Sequence, residues 1–301
     1  MPMLFPRGAA RASICCLAFL IISAPAMAAG TLDKVKTQGY ITIAYRESSI
    51  PFSYLDENKK PIGYAMDLCA RVVDAVKQQL KMPRLETRYI AVTGSTRIPT
   101  IVNNQADLEC GSTTNNAERR QQVAFTIPHY ISGSRILVRS DSPIKSIDDL
   151  KGRTIVTTKG TTTVNILQAA EQARGLNFHL IEGKDHAESF DLVQAGKADA
   201  FVMDDVLLYS LRATSKNPKA TAIVGDFLSV EPYAIMMRRD DPDFKKLVDS
   251  TVARIITDYE INKMYDKWFL SPIPPSGVNL DLPMNHLLRD SFKFPSDAVG
   301  D

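Results

Sequence analysis

The chain has 301 residues, 45% of them hydrophobic, with 36 Lys and Arg against 34 Asp and Glu. A net charge of +2 gives no basic excess for nucleic acid or an anionic membrane surface to grip, so neither is expected as a partner. Once the leader described next is set aside, about 270 residues remain, enough for two domains that each bury a core.

Residues 1–28 read as a secretory signal. Arg7 and Arg11 form a basic start, Ser13 to Ile22 an apolar stretch, and Ala26-Met27-Ala28 a small-x-small cleavage site. An exported, periplasmic product is expected. Its charge is then balanced, because the leader removes two arginines and no acid. The apolar stretch is too short to span a bilayer, and no later run approaches the roughly 18 residues a transmembrane helix needs.

Beyond the leader, helix and strand signals alternate, as in an α/β protein with largely parallel sheets. A short helix is predicted at Leu32 to Thr37, strands at Tyr40 to Tyr45 and Phe52 to Leu55, and a polar turn at Asp56 to Pro61. Leu68, Val72, Val73, Val76 and Leu80 then mark one face of a helix over Tyr64 to Lys81. The strand Leu85 to Val92, the helix Arg97 to Asn103 and the strand Ala106 to Cys110 complete a first lobe. After Ile136-Leu137-Val138 a second series follows. Its helices are expected at Ile147 to Lys151, Thr162 to Ala173, His186 to Ala195 and Val206 to Ala213. Its strands are expected at Arg153 to Thr157, Phe178 to Ile181, Ala198 to Met203 and Thr221 to Val224. Tyr233 to Met237 reads as one strand, Asp243 to Asp258 and Ile261 to Phe269 as helices, and the tail after Pro272 as a surface wrap. The chain is expected to cross between lobes twice, near Ser132 to Val138 and near Val230 to Met236. This places lobe 1 at 31–134 plus 233–301 and lobe 2 at 135–232.

Cys15 and Cys16 fall within the leader, which leaves Cys69 and Cys110 either to pair or to stand as buried thiols. The histidines at 129, 179, 186 and 286 make no metal spacing, and no phosphate loop, G-x-S-x-G elbow or paired-Cys motif is present. Neither a metal nor a cofactor is expected.

The richest stretch runs from Glu109 to Arg119. Gly111 permits close backbone approach, Ser112 and Thr114 offer hydroxyls, and Arg119 supplies a planar fork that suits a carboxylate. Lys159-Gly160-Thr161-Thr162-Thr163 lies between a strand and a helix and makes an anion seat, or a plain Thr N-cap. Asp204 ends a strand where a ligand ammonium would be welcome; either it or Asp205 could instead cap the next helix. His186 stands in a capping-box-like Lys184-Asp185-His186-Ala187-Glu188, where the helix dipole disfavours imidazolium, so a neutral ring donating one hydrogen bond is expected. Arg46 and Arg97 sit near strand C-terminal ends, where open α/β sheets bind ligands.

With these residues in view, the chain resembles the periplasmic glutamate/aspartate-binding proteins of ABC transporters, a branch of the type II solute-binding proteins. The matching stretches are Tyr45-Arg46-Glu47-Ser48-Ser49-Ile50-Pro51-Phe52-Ser53-Tyr54, Arg97-Ile98-Pro99, Glu109 to Arg119, Lys184-Asp185-His186, Met203-Asp204-Asp205, Asp266-Lys267-Trp268-Phe269 and Pro272-Ile273-Pro274-Pro275. The resemblance implies a two-lobed fold, each lobe a mostly parallel sheet flanked by helices and joined by two hinge crossovers. It also implies a monomer that delivers its ligand to a membrane permease. By the same resemblance Arg119, Ser112, Thr114 and Thr162 hold the ligand α-carboxylate, Asp204 the α-ammonium, and Arg46, Arg97 and His186 the side-chain carboxylate. One departure stands out: family members carry serine where this chain has Gly94, and here the serine is the next residue, Ser95.

Three arginines against Asp204 leave a positive excess that an anionic amino acid would reduce. A handful of charged hydrogen bonds at roughly 1.5 to 3 kcal/mol each, set against ordering costs, suggests about −8 kcal/mol, or micromolar binding. Two rival readings are an exported dehydratase-like enzyme on the same fold, with Glu47, Glu109 or Asp185 as general acid, and a sensor subunit.

Overall fold

The computed structural model describes residues 30–298 together with Met1 and Met3; the rest of the predicted signal lies outside the described residues. Two five-stranded sheets organise the chain. In the first, Glu86–Ala91, Tyr40–Tyr45 and Leu108–Cys110 run parallel, and Met236–Arg238 returns antiparallel between Leu108–Cys110 and Val123–Phe125. In the second, His179–Gly183, Thr154–Thr158 and Ala200–Asp204 run parallel, followed by Ser134–Arg139 antiparallel and then Thr221–Val224. Each sheet is the heart of one lobe. Tyr130–Ser132 pairs antiparallel with Glu231–Tyr233, so the two crossing segments lie side by side as a short ladder.

The apolar periodicity explains the largest helix. Tyr64–Leu80 buries Leu68, Cys69, Val72, Val73 and Val76, spaced three and four apart, and ends at Lys81 in the left-handed conformation. Leu108, Glu109 and Cys110 are all buried, as a strand covered on both faces requires. Cys69 and Cys110 form a disulfide with Cα atoms 6.4 Å apart, joining that helix to that strand. This resolves the alternative left open above.

Three expectations are corrected. The predicted strand Tyr233 to Met237 is two strands, because Ala234 N donates to Thr113 O and Ile235 N to Thr126 Oγ1, and the two halves join different sheets. The predicted helix Ile147 to Lys151 shrinks to a single 3₁₀ turn, Asp148–Leu150, where the Asp149 carboxylate accepts the N–H groups of Lys145 and Ser146. The tail is more than a wrap: His286–Lys293 is a helix capped by the Asn285 side chain and anchored by fully buried Leu288.

Candidate ligand-binding site

The C-terminal ends of the parallel strands of both lobes face one another. Arg46 follows Tyr40–Tyr45, Arg97 opens the helix after Glu86–Ala91, and Ser112 to Thr114 follow Leu108–Cys110. From the other lobe, Thr161 and Thr162 follow Thr154–Thr158, His186 opens a helix after His179–Gly183, and Asp204 ends Ala200–Asp204. Arg46, Arg97, Ser112, Thr114, Thr162, His186 and Asp204 together line one small cavity, along with Thr161, Met203 and Leu207. Arg119 stands behind Thr114, donating from Nη1 to Thr114 O at 3.0 Å and from Nη2 to Gly160 O at 3.4 Å.

One end of the cavity is built from guanidinium. Arg97 Nη1 donates to Thr113 Oγ1 at 2.7 Å, and that hydroxyl donates to Glu109 Oε2 at 2.6 Å; Arg97 Nη2 reaches Gly160 O across the cleft at 3.3 Å. Arg46 is 1% exposed, and its Nη2 lies 3.3 Å from His186 Nε2. A guanidinium can only donate, so Nε2 carries the lone pair and Nδ1 the proton, which goes to Thr158 Oγ1 at 2.9 Å. Burial, followed by the charges of Arg46 and Arg97, holds this imidazole well below its usual range, so the ring is neutral as expected. Burial and the nearby Arg97 lower Arg46 to about 10 and Arg119 to about 9, both still cationic at neutral pH. Arg46 Nη1 and Arg97 Nε are buried and make no hydrogen bond among the described residues.

The other end is acidic. Asp204 accepts from Ser134 Oγ at 2.8 Å and from the Tyr233 hydroxyl. It occupies the N-cap position without capping through its side chain, and Asp205 instead accepts Val206 N at 2.7 Å. Burial, then the charge of Glu231, push the Asp204 carboxyl up to about 7. Thr161, at the N-cap of Thr162–Arg174, likewise makes no side-chain cap; its hydroxyl turns back to Thr158 O at 2.7 Å. At His186 the capping-box reading holds in modified form, with Asp185 accepting Glu188 N and Glu188 accepting Lys184 N.

Two acids change the charge count made from sequence. Glu109 is fully buried and Glu231 is 3% exposed, so with Asp204 the cleft holds three carboxylates against three guanidinium groups. The excess is therefore local rather than total: Arg46 and Arg97 outnumber Glu109 at one end, while Asp204 and Glu231 outnumber Arg119 at the other. Gly111 also has a different task from the one expected. A Cβ there would lie 2.7 Å from Glu109 Oε1 and 2.9 Å from Arg46 Cγ, so the missing side chain makes room for the Glu109 and Arg46 side chains. Ser95, the neighbour of Gly94, is exposed and pairs with Thr93 Oγ1 at 3.1 Å, outside the cavity lining. Glu231 was missed because the crossing Glu231-Pro232-Tyr233 offers no periodicity or motif; only its place beside a hinge marked it.

Residues 41–271 match the family described as bacterial extracellular solute-binding proteins, family 3. The chain belongs to this family. Over 285 residues this solute-binding protein is 45% identical to the L-glutamate/L-aspartate-binding protein of Pseudomonas aeruginosa, covering 93% of this chain and 94% of that one. It is 42% identical over 277 residues to the glutamate/aspartate import solute-binding protein of Escherichia coli, covering 92% and 91%. Among solved structures, a mutant of ArgBP from T. maritima superposes with a TM-score of 0.70 at 26% identity, covering 79% of this chain and 98% of that one. The fold is thus the type II two-lobed one. No helix among the described residues is long and apolar enough to cross a membrane.

Proposed function

We propose that this protein captures an acidic L-amino acid, glutamate or aspartate, between its lobes in the periplasm and delivers it to the permease of an ABC transporter. The observation that carries the ligand class is the pair of buried, unpartnered guanidinium nitrogens, Arg46 Nη1 and Arg97 Nε, on the cavity's basic end. Leaving buried charged donors unpaired is costly, and a guest's side-chain carboxylate would satisfy both. Asp204 at the acidic end suits the α-ammonium, and Arg119 with the N-terminus of Thr162–Arg174 suits the α-carboxylate. His186 turns its lone pair to Arg46, so it serves the side-chain carboxylate by orienting that guanidinium. The names of the glutamate/aspartate-binding relatives support the same ligand class. The lobes would divide near 134/135 and 232/233, where the crossing ladder lies, and residues 1–28 would direct export. All named relatives are binding proteins, which favours capture over turnover.

Titration calorimetry of the mature protein against glutamate, aspartate, glutamine, asparagine and arginine tests this. The two dicarboxylates should bind at micromolar or tighter dissociation constants, and the uncharged and cationic guests at least about a hundredfold more weakly. Comparable affinity across the panel would overturn the assignment.

A further inference from the structure

Glu109 is a buried carboxylate at the basic end to which the reading above gives no task. It stands in the middle of Leu108–Cys110, fully buried, with Ala44 and Met236 opposite it on the two neighbouring strands. Its Oε2 accepts from Thr113 Oγ1 at 2.6 Å, and that hydroxyl accepts from Arg97 Nη1 at 2.7 Å. Its Oε1 is buried with no hydrogen-bond partner among the described residues, packed close to the Arg46 stem over the bare Gly111. A carboxylate held out of water with one oxygen unpartnered is costly unless nearby cations attract it. Burial lowers both guanidiniums, aided at Arg46 by the charge of Arg97, and in each the charge of Glu109 is the largest influence in the opposite direction. Asp185 also acts on Arg46, but it is part-exposed and screened by water, and His186 is neutral. Two buried guanidiniums and one buried carboxylate therefore leave the basic end with a single positive charge.

We propose that Glu109 is a specificity-determining residue, which sets the basic end to accept a side-chain group of single negative charge, a carboxylate, and to refuse a dianion such as a phosphate monoester. This rests on the reading that a side-chain carboxylate occupies that end. Glu109 acts without touching the guest. Because it reaches Arg97 through the Thr113 hydroxyl, it offsets part of the positive charge while Arg97 Nε and Arg46 Nη1 stay free to donate. One carboxylate then brings the basic end to neutrality. A dianion would leave an uncompensated negative charge buried there, which is strongly disfavoured.

The test compares L-glutamate with O-phospho-L-serine, whose phosphorus is as many bonds from Cα as the δ-carbon of glutamate and whose side chain is a dianion at about pH 8. Affinities are read by calorimetric titration and by displacement of bound glutamate, on proteins with a wild-type circular dichroism spectrum. The mature wild-type protein should bind phosphoserine at least about a hundredfold more weakly than glutamate. Glu109→Gln keeps the shape and an acceptor for Thr113 but drops the charge, and should narrow that gap roughly tenfold. Glu109→Asp keeps the charge and should preserve the gap, whatever happens to the two affinities together. Equal losses for both guests in Glu109→Gln, or the same narrowing in Glu109→Asp, would mean that Glu109 only supports the fold and would overturn the proposal. So would a wild-type protein that binds phosphoserine as tightly as glutamate, a result that needs no variant. A wild-type protein that fails to tell glutamate from glutamine would instead overturn the ligand class itself. If that discrimination holds while the phosphoserine gap stays fixed in Glu109→Gln, the role of Glu109 falls alone.

Discussion

Arg97 and Arg119 are both buried arginines at the cleft, yet their neighbours differ. Arg97 rests on Thr113 and, through it, on Glu109, and keeps its Nε free of protein partners; Arg119 is fixed by Thr114 O. The proposed roles follow, with Arg97 serving the side-chain carboxylate and Arg119 the α-carboxylate. Arg119→Ala should abolish measurable binding of every amino acid. Arg97→Ala should weaken glutamate and aspartate by at least about a hundredfold and change weak glutamine binding little, because it removes one partner of a buried ionic contact. Calorimetry on both variants checks the split, and equal, mild losses would sink it. These residues were legible in the sequence because a hydroxyl, glycine or arginine beside a strand end carries a recognisable chemistry. Glu109 was legible only as a candidate acid, and its burial beneath two arginines came from packing.

At the scale of elements, the crossing ladder matters most. His129 N donates to Tyr233 O at 2.8 Å and Tyr64 Oη to His129 O at 3.0 Å, which locks the first crossing against the second and against the long helix. The His129 ring lies among aromatic side chains, with centroids 6.1 Å from Phe52 and 5.6 Å from Tyr64, and neither ring nitrogen has a partner among the described residues. Burial pulls its pKa down to about 3 from an unfolded value near 6.5. The unfolded chain thus takes up a proton across that interval that the folded chain refuses. Stability is intact above about pH 6.5 and falls as pH drops toward 3, by roughly 1.4 kcal/mol per pH unit for such a group. His186, also depressed by burial, adds a loss of the same sign. Urea midpoints should therefore fall between pH 7 and pH 5, and His129→Leu should remove about half of the slope. An unaltered slope in that variant would contradict the argument. Sequence could name this histidine but could not foresee its aromatic surroundings, which come from Phe52 and Tyr64 on separate segments.

For the whole molecule, the decisive contact is the approach of the lobes at two glycines. A Cβ on Gly94 would lie 2.4 Å from Lys159 O, and one on Gly160, whose φ is +74°, would lie 2.5 Å from Ser95 N. Backbone meets backbone there, which gives a physical reason for glycine at both positions. Gly94→Ala should hold the lobes apart and lower affinity for glutamate and aspartate alike, roughly tenfold, since overpacking costs on the order of 1–3 kcal/mol. Small-angle scattering at saturating glutamate should show a larger radius of gyration for this variant. A selective loss for only one dicarboxylate would instead mean that Gly94 acts in recognition rather than in closure.

The sequence by itself determined the alternation of elements, the two-lobed class and the arginines, hydroxyls, His186 and Asp204 that gather at the cleft. Apolar spacing and residues at strand ends are local signals, readable within a dozen positions. Only the tertiary structure decided that Cys69 meets Cys110, that Tyr233 to Met237 divides between sheets, that His186 faces Arg46 across 140 positions, and that Glu231 meets Thr114 across 117. Those facts are distances between remote segments. They are set by how whole sheets and helices pack, and so is the charge balance of the cleft.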